Sequence, residues 1–468
     1  MKIAEVEVKG VTCNSKAVKK GFIFVAIRGN RQNGSCFIKE AITNGASVVV
    51  VERKSPQIII SGKTKLLVVN NSRNFLAESS AEFYGRPSDN LRVIGITGTN
   101  GKTTISYLIE AMAKESGCSC GVIGTINHRF KGKEIPAKNT TPGPVELQQL
   151  LAKMHAQRIK YCAMEVSSHA LDQERVSGIN FSRAVFTNLT QDHLDYHKNL
   201  ESYFLAKTKL FRALPASGVA IINNDDKYSF RIKKLTSCRL ISYGINNKST
   251  VMAKDIVFGI QETKFTLIAP GLKSRIKTHL IGRYNIYNIL AAISWGISED
   301  LHLKDIKSAI EKLRNVPGRL EKVNCKEGRN IFVDYAHTPD ALFNVISALR
   351  PLIPGRMIVI FGCGGERDRL KRPKMGKIVT QLADYAIITN DNPRSEDPLC
   401  IIKDIRRGIR KDNYCVIPDR FIAIKAGLRL TKNGDCLIIA GKGHEEYQVL
   451  KNRILHFSDR EVVQKCLR

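Results

Sequence analysis

The sequence of 468 residues has little that would carry it into or across a membrane. Its apolar runs fall well short of the roughly 20 residues that a membrane-spanning helix needs. Residues 1–20 alternate charges with single apolar residues and contain no run of signal-peptide length. The chain has one tryptophan and neither internal repeats nor low-complexity segments. We therefore expect a cytoplasmic protein with no membrane partner.

Closely spaced pairs of cysteines are also missing. The twelve cysteines are scattered, and Cys118-Ser-Cys120 comes nearest to a pair without a second pair to complete a metal cage. This arrangement argues against a zinc ribbon. We expect reduced thiols that are mostly buried.

Acidic residues are few compared with basic ones, 43 against 74, which gives a net charge of +31. Such an excess could serve nucleic acid or anionic substrates. The basic residues are spread along the whole chain, whereas a nucleic-acid surface requires clustered basic and aromatic side chains. We interpret the charge as an aid to binding polyanionic substrates and expect no nucleic-acid partner.

Length and pattern predict an α/β protein of three domains, because the chain is too long for one ordinary core. Residues 1–88 indicate a small α/β domain, residues 89–316 a central domain with a mostly parallel sheet, and residues 317–468 a Rossmann-like α/β domain. The predicted strands lie at residues 21–27, 47–51, 65–69, 91–96, 161–164, 184–187, 219–223, 330–334, 356–361, 385–389 and 435–440.

A phosphate-binding loop is predicted at residues 95–104, Gly-Ile-Thr-Gly-Thr-Asn-Gly-Lys-Thr-Thr, between a buried strand and a helical pattern. Gly98 and Gly101 let backbone N–H groups approach phosphate oxygens, and the helix N-terminus adds positive potential. Lys102 would reach the β- and γ-phosphates, and Thr103 offers a hydroxyl to Mg²⁺. The strict pattern requires a glycine two residues earlier than Gly98, so this is a variant P-loop. We predict a nucleoside triphosphate as ligand; the alternative is a glycine-rich turn with a surface lysine.

Carboxylate, histidine and lysine residues follow further along the middle segment. Glu165 comes directly after a predicted strand, where it could complete a Mg²⁺ shell begun by Thr103 or simply cap a helix. His193 and His197 could share a helix face, but no glutamate stands where a His-Glu-x-x-His zinc site requires one, so zinc is disfavoured. Lys207 lies in a helical pattern and is either a solvated side chain or a functional one.

Several motifs together resemble the Mur ligases of bacterial cell-wall synthesis, and within that family the member that adds the third peptide residue. They occur in the family's order, and the resemblance spans essentially the whole chain. It implies a three-domain ATP-dependent ligase that forms an amide bond. The motifs are residues 97–104, 165–169, 187–197, 206–207 and 333–340.

The resemblance implies roles at the ATP end of the site. Glu165 would help to hold Mg²⁺, and the lysine at the position of Lys207 is carbamylated in the family, which turns a cation into a carboxylate-like ligand. With His193 it would hold a second Mg²⁺. The implied catalytic residues are Lys102, Lys207 and His193. The implied ATP contacts are Gly98, Thr99, Asn100, Gly101, Lys102, Thr103, Thr104, Asn288, Arg319 and Asp334.

Two other groups of residues match the family's substrate contacts. Those implied for UDP-N-acetylmuramoyl-L-alanyl-D-glutamate are Cys13, Ser15, Asn30, Arg31, Gln32, Asn139, Thr140, Thr141, Ser167, Gln173 and Arg175. Those implied for meso-2,6-diaminopimelate are Arg367, Asp391, Asn392, Pro393, Arg394, Gly441 and Glu445. The guanidinium of Arg394 would pair with a carboxylate that lysine lacks. The chain departs from the family with Asn14 and Lys16 in place of Asp and Arg, and with Glu366 in place of Asp.

The implied reaction starts with attack of the D-glutamate γ-carboxylate on the γ-phosphorus of ATP. An amine of diaminopimelate then attacks the acyl phosphate. The nearest alternative is the lysine-adding member of the family, which Arg394 distinguishes. Folylpolyglutamate synthetase is a more distant relative that should lack the first domain, and a basic P-loop nucleic-acid-binding protein is the alternative from another class. We expect a monomer that closes about hinges near residues 88 and 316 to exclude water.

Overall fold

The computed structural model describes residues 1–3, 6–29, 32–53, 63–325, 328–451 and 453–467. The predicted uridine-site residues Asn30 and Arg31 therefore lie outside the described residues. Within the described ranges, no helix is long and apolar enough to cross a membrane. Three larger sheets, built from successive segments of the chain, organise the fold.

The first of these sheets has four parallel strands in the order β3-β4-β5-β6. Helices α1 and α2 cover its two faces, so the near-continuous apolar strands β4 and β5 are buried on both sides. The strands predicted at 21–27, 47–51 and 65–69 are confirmed. The elements are β1 Lys2–Ile3, β2 Val6–Glu7, β3 Gly10–Thr12, β4 Phe22–Val25, α1 Ile38–Thr43, β5 Ala46–Val51, β6 Lys65–Val68 and α2 Ser72–Phe83.

The middle sheet has eleven strands in the order β10-β9-β8-β11-β7-β12-β13-β14-β15-β16-β17. Its centre, from β8 to β15, is parallel. The elements are β7 Arg92–Thr97, α3 Lys102–Glu115, β8 Cys120–Ile123, β9 Asn127–Phe130, β10 Lys133–Pro136, α4 Pro144–Ala156, β11 Tyr161–Glu165, α5 Ser168–Asp172, β12 Phe181–Phe186, α6 Leu194–His197, α7 Leu200–Arg212, β13 Val219–Asn223, α8 Ser229–Lys233, β14 Arg239–Gly244, β15 Val251–Val257, β16 Thr263–Ala269, β17 Leu272–Thr278, α9 Arg283–Ser298 and α10 Leu303–Lys312.

The two ends of this middle sheet add antiparallel strands that the sequence analysis did not predict. At one end β9 and β10 form a hairpin, and at the other β15, β16 and β17 pair antiparallel. Along β16, buried residues alternate with half-buried ones. This is the pattern of an antiparallel strand with one face toward water, whereas the central strands are covered on both faces.

Helices on one face of the middle sheet fix the position of the phosphate-binding loop. Helix α3 packs against α9 and α10, and its apolar side chains Leu108, Ile109 and Met112 have no exposed surface. Because α3 is held there, its N-terminus lies at the carboxyl end of β7. That edge is where parallel α/β sheets bind their ligands.

The third sheet has six strands in the order β18-β19-β23-β20-β21-β22, all parallel except β18. The predicted boundaries after residues 88 and 316 fall in the connections between the three sheets. The elements are β18 Glu321–Val323, β19 Asn330–Asp334, α11 Pro339–Leu349, β20 Met357–Phe361, α12 Lys371–Leu382, β21 Tyr385–Ile388, α13 Pro398–Arg406, β22 Tyr414–Val416, α14 Arg420–Leu430, β23 Cys436–Ala440, β24 Tyr447–Leu450, β25 Arg453–His456 and α15 Asp459–Leu467.

Candidate active site

The loop between β7 and α3 requires glycine at two positions. Gly98 and Gly101 have φ values of 146° and 94°, which L side chains rarely adopt. A Cβ on Gly98 would overlap the hydroxyl of Thr187, and one on Gly101 would overlap the amide oxygen of Asn288. Helix α3 begins directly after the loop, so its first N–H groups face the same space.

Lys102 folds back over this loop. Its ammonium donates to the backbone carbonyls of Gly98 and Thr99, both at 2.9 Å. Burial lowers the pKa of Lys102, while the charge of Glu165 opposes that shift. The side chain therefore holds the loop in shape and stands next to the space that a phosphate group would fill.

Glu165 ends β11 and is held by two threonines. The Thr103 hydroxyl donates to Glu165 Oε2 at 3.0 Å. Thr125 supplies two further bonds, from its backbone N–H to Oε1 at 3.0 Å and from its hydroxyl to Oε2 at 2.8 Å. The carboxylate is 1% exposed, so its orientation is set by these contacts.

The oxygens of Thr103 and Glu165 suit a hard cation. Both residues line a cavity between the middle and third sheets, and Mg²⁺ binds through one or two carboxylates plus phosphate and water. The described residues contain no group of three or more His, Cys, Asp and Glu side chains placed to hold a metal ion. A Mg²⁺ ion here would therefore take part of its shell from a phosphate.

Lys207, on α7, meets the same loop from the other side. Its ammonium donates to the Gly98 carbonyl at 2.9 Å, which Lys102 also uses, and lies 4.4 Å from the centre of the Tyr203 ring. The residue is 1% exposed. Burial, and next the charge of Lys102, hold the pKa of Lys207 well below its usual range. A neutral amine is the form that can react with CO₂.

His193 stands at the start of α6, close to an acidic neighbour. Its φ is 55°, and its Nε2 lies 3.4 Å from Asp192 Oδ2. Burial lowers the pKa of His193, so the imidazole is neutral at pH 7, the form that binds metals. The His169 ring packs edge-on at 4.8 Å. His197 instead forms a hydrogen bond with Ser168 at 2.9 Å. His193 and His197, which were expected to share a helix face, therefore have different partners.

The cavity between the two sheets has a volume of about 440 Å³. Its lining includes the loop residues 99–104 and, from the facing side, Asn288, Arg319 and Asp334. Asp334 accepts from the backbone N–H groups of Leu320 at 2.5 Å and Ala336 at 2.7 Å. Burial raises the pKa of Asp334 to about 6. All the residues predicted to contact ATP line this cavity except Gly98. The Gly98 carbonyl accepts a hydrogen bond from Lys102, which does line the cavity.

Two hydrogen bonds join the loop to the C-terminal segment across the cavity. Arg319 donates to the Thr103 hydroxyl at 2.9 Å, and Asn100 donates to Asp340 at 2.9 Å. Asp340, at the start of α11, was not among the predicted residues. Asp340 ends the motif of residues 333–340, in which the resemblance implies a role for Asp334 alone.

Five of the residues predicted to hold the sugar-nucleotide dipeptide form a connected group beside Glu165. The Thr141 hydroxyl donates to the Glu165 carbonyl at 2.9 Å and accepts from the Ser167 N–H at 3.0 Å. Arg175 donates to the Thr141 carbonyl at 2.9 Å and to Gln173 at 2.7 Å. In the same turn, the Thr140 hydroxyl lies 3.0 Å from that of Thr125, and Asn139 is exposed.

Of the predicted uridine-site residues, Cys13 and Ser15 follow β3 and Gln32 follows β4, at the carboxyl edge of the first sheet, and these three do not line the 440 Å³ cavity. Ser15 donates to Glu40 at 2.6 Å, while Cys13 and Gln32 are exposed. Asn71 donates to Glu174 at 3.1 Å. This bond links the first domain to the segment that carries Gln173 and Arg175.

The predicted amino-acid residues come together in the third domain. The turn after β23 runs so close to segment 391–394 that a Cβ on Gly441 would lie 2.5 Å from Asp391 Oδ2. Asn392 donates to Glu445 at 2.8 Å. The ring of His444 packs at 4.9 Å on Tyr335, which lines the cavity between the middle and third sheets. The predicted amino-acid residues are therefore linked to that cavity through His444 and Tyr335.

Two arginines flank the other side of the same pocket. The Arg394 guanidinium donates to the Gly365 carbonyl at 2.7 Å, and its backbone has a φ of 55°. A Cβ on Gly364 would lie 3.0 Å from Arg394 Nη1 and 3.8 Å from Arg367 Cγ. The Arg394 guanidinium and the aliphatic part of Arg367 thus border one glycine turn, and a Cβ on Gly365 would overlap the Pro393 carbonyl.

Each of the three segments of the chain matches a model of one protein family. Residues 7–84 match the Mur ligase family catalytic domain, residues 96–296 the Mur ligase middle domain, and residues 318–443 the Mur ligase glutamate ligase domain. A UDP-N-acetylmuramoyl-L-alanyl-D-glutamate--2,6-diaminopimelate ligase from Clostridium botulinum is 42% identical over 464 residues, covering 99% of this chain and 95% of the relative. The chain belongs to the Mur ligase family.

Other Mur ligases are similar over nearly the same length. A relative of the same printed name from a Nostoc species is 44% identical over 474 residues, covering 99% of this chain and 95% of its own. A solved structure with that name is 31% identical, has a TM-score of 0.71, and covers 100% of this chain and 99% of its own. The MurF ligase of Thermotoga maritima, solved with ADP, is 19% identical with a TM-score of 0.66 over 99% of this chain and 98% of its own. That likeness is one of fold.

Thr125 is the residue of this Mur ligase site that the sequence analysis missed most clearly. Thr125 follows Gly124, the residue directly after β8, and a Cβ on Gly124 would overlap the Glu165 carboxylate. A Gly-Thr pair directly after a strand is a signal that could have indicated this residue. Strand β8 is short, however, and it was not predicted.

Proposed function

We propose that this Mur ligase uses ATP to join meso-2,6-diaminopimelate to the D-glutamate of UDP-N-acetylmuramoyl-L-alanyl-D-glutamate, a step in making peptidoglycan precursors. Relatives with that printed activity are 42% and 44% identical over 99% of the chain. The observation that carries the proposal is that the cavity with the phosphate-binding loop is linked to the group formed by segment 391–394 and Glu445, because Tyr335 in its wall packs on His444, the sequence neighbour of Glu445.

ATP is proposed to occupy the 440 Å³ cavity. The glycine loop and the N-terminus of α3 would receive the phosphates, with Lys102 beside them. Asn288, Arg319 and Asp334 would contact the rest of the nucleotide from the opposite wall. This division of roles is supported by their shared lining of the cavity.

Two Mg²⁺ ions would fit the oxygen and nitrogen donors of the site. Thr103 and Glu165 would hold one ion, and His193 with carbamylated Lys207 the other. Bound Mg²⁺ would neutralise the charge of the phosphate groups. The carbamate is supported by the burial of Lys207 and by its lowered pKa, which favours the neutral amine. The amine nitrogen would bond to the carbon of CO₂ and release one proton.

The reaction proposed for this site has two steps. The γ-carboxylate of D-glutamate attacks the γ-phosphorus of ATP, which gives an acyl phosphate and ADP. An amine of diaminopimelate attacks the acyl carbon, and phosphate leaves. Lys102 would hold the transferring phosphate, while Arg394 and Glu445 would orient the far carboxylate and ammonium of the incoming amino acid.

We propose that three separate domains each bind one ligand. Residues 1–88 would bind the sugar nucleotide, residues 89–316 ATP, and residues 317–468 the amino acid. Hydrogen bonds between Asn100 and Asp340 and between Asn71 and Glu174 support contact between neighbouring domains over the cleft. Enclosing the acyl phosphate would protect it from hydrolysis.

The test is phosphate release by the full chain with ATP, Mg²⁺ and UDP-N-acetylmuramoyl-L-alanyl-D-glutamate, with either meso-diaminopimelate or L-lysine added. We expect release with meso-diaminopimelate and a tripeptide product of matching mass. Release with L-lysine alone would assign the lysine-adding activity instead. Absence of release with both amino acids would contradict the proposal.

A further inference from the structure

Lys442 is a buried lysine in the turn that follows β23. The residue has 0% of its surface exposed. Its ammonium lies 3.3 Å from Asn392 Oδ1, 3.3 Å from Glu445 Oε2, and 5.5 Å from the centre of the Tyr447 ring. A buried ammonium is costly unless it is paired, so these contacts are what allow the charge to stay there.

The partners of Lys442 are residues proposed to bind the incoming amino acid. Asn392 donates to Glu445 Oε2 at 2.8 Å and accepts from the Val449 N–H at 2.9 Å. Lys442, Asn392 and Glu445 thus form a closed triangle of hydrogen bonds. Both hydrogen bonds to the Glu445 carboxylate are accepted by Oε2. Oε1 is therefore the oxygen that would accept a hydrogen bond from a ligand.

Lys442 also sets the charge of this pocket. Burial, and then the nearby Asp391, raise the pKa of Glu445, whereas Lys442 lowers it. Lys442 therefore offsets part of the negative charge of Asp391 and Glu445, next to the buried Arg420, which is itself paired with Asp459. Without Lys442, Asp391 and Glu445 would repel each other more strongly, and Glu445 would take up a proton more readily.

We propose that Lys442 is a positioning residue for the amino-acid pocket, which orients the Glu445 carboxylate and sets the charge that receives one ammonium group of a diamino dicarboxylic acid. This inference rests on the proposed function. Because Lys442 acts through Glu445, we expect its removal to change the KM for the amino acid and to leave the use of ATP unchanged.

The test begins with Lys442→Met in the full chain, a change that keeps an unbranched side chain of similar shape and removes the ammonium group and its charge. We expect the KM for meso-diaminopimelate to rise about tenfold or more. The KM values for ATP and for the sugar-nucleotide dipeptide should stay within about twofold, and kcat should change less than KM. Lys425→Met, at an exposed lysine on α14 of the same domain, is the matched control and should change none of them.

A double-variant cycle with Glu445→Gln separates positioning from a general effect on the fold. If Lys442 acts through Glu445, adding Lys442→Met to Glu445→Gln should raise the KM by no more than about twofold beyond Glu445→Gln alone. The double variant removes both charges of the pair, so it remains measurable if Lys442→Met alone does not fold.

Two results would overturn the inference. One is a KM for meso-diaminopimelate that is unchanged in folded Lys442→Met, and the other is a further loss of about tenfold when that change is added to Glu445→Gln. A wild-type chain that releases no phosphate with either amino acid would contradict the proposed function instead. The two failures are therefore distinguishable.

Discussion

Arg394 is the single residue that best tests which amino acid is added. Its guanidinium borders the pocket beside Gly364 and Gly365, where it would pair with the second carboxylate of diaminopimelate. We expect Arg394→Ala to lower kcat/KM for meso-diaminopimelate about 100-fold, because a bidentate charged contact is lost. The KM for ATP should not change.

The control for this prediction is Arg407→Ala, which removes an exposed arginine of the same domain that pairs with Asp404. Phosphate release is the measurement for both variants. Undiminished use of meso-diaminopimelate by Arg394→Ala would show that another residue recognises the second carboxylate.

Thr125 offers a test of how Glu165 is held. Its hydroxyl donates to Glu165 Oε2 at 2.8 Å, so Thr125→Val should leave the carboxylate less well oriented for Mg²⁺. We expect the Mg²⁺ concentration needed for half-maximal ADP binding to rise about tenfold. Thr125→Ser keeps the hydroxyl and should bind like wild type, as titration calorimetry can check. A loss in Thr125→Ser as large as that in Thr125→Val would contradict the role given to the hydroxyl, because serine keeps it.

Asp334 predicts a dependence of stability on pH. Its pKa is raised to about 6 by burial, so between about pH 4 and pH 6 the folded chain binds more protons at this group than the unfolded chain does. The contribution of Asp334 to stability should therefore fall as pH rises through that window. We expect the Tm of wild type, relative to Asp334→Asn, to become lower between pH 5 and pH 7. A difference in Tm that is constant with pH would contradict the raised pKa.

At the level of elements, the turn from β7 into α3 depends on the absence of side chains. Gly101 has a φ of 94° and lies against Asn288, whereas Gly117, just beyond α3, has a φ of 71° and no neighbour within 4 Å of an added Cβ. Both alanine variants carry backbone strain of about 1 kcal/mol. Only Gly101→Ala also displaces a side chain of the proposed nucleotide site.

We therefore expect Gly101→Ala to weaken binding of a fluorescent ATP analogue by at least about tenfold. Gly117→Ala should bind the analogue normally and melt at a somewhat lower temperature. Similar weakening in both variants would assign the effect to strain in α3 rather than to the loop.

Elements with a strong local pattern could be predicted from the sequence. The strand, glycine loop and helix around residues 92–115 follow from apolar runs and from glycines at fixed spacing. The two outer domains could also be predicted, because their strands are apolar runs too. The antiparallel ends of the middle sheet could not be predicted in this way. Their strands are half exposed, and nothing in a parallel pattern indicates where a sheet acquires hairpins at its edges.

The candidate site was predictable where a motif places its residues in one segment. Contacts between distant segments were not. Thr125 meets Glu165 across 40 residues, and Arg319 meets Thr103 across 216. Such pairs depend on how sheets and domains come together, which local composition does not encode. The roles given to the site residues remain predictions that the variants above can test.

For the whole molecule, the proposed closure of the domains predicts a change of shape when ligands bind. Asn100 and Arg319 bridge the loop and the C-terminal segment, and the nucleotide would lie between these two parts. We expect the radius of gyration in small-angle X-ray scattering to fall when a non-hydrolysable ATP analogue and the dipeptide substrate are both present. Each ligand alone is the control, and an unchanged radius with both would count against closure.

The outermost strand of the middle sheet, β17, suggests a use for part of the positive charge. Lys273, Arg275 and Lys277 alternate along it, and all three are exposed. An open strand edge can pair with another chain, and lysine or arginine side chains placed along it oppose such pairing. Two copies of this protein approaching edge to edge would bring like charges together. Charge would therefore oppose edge-to-edge extension of the eleven-stranded sheet at this end.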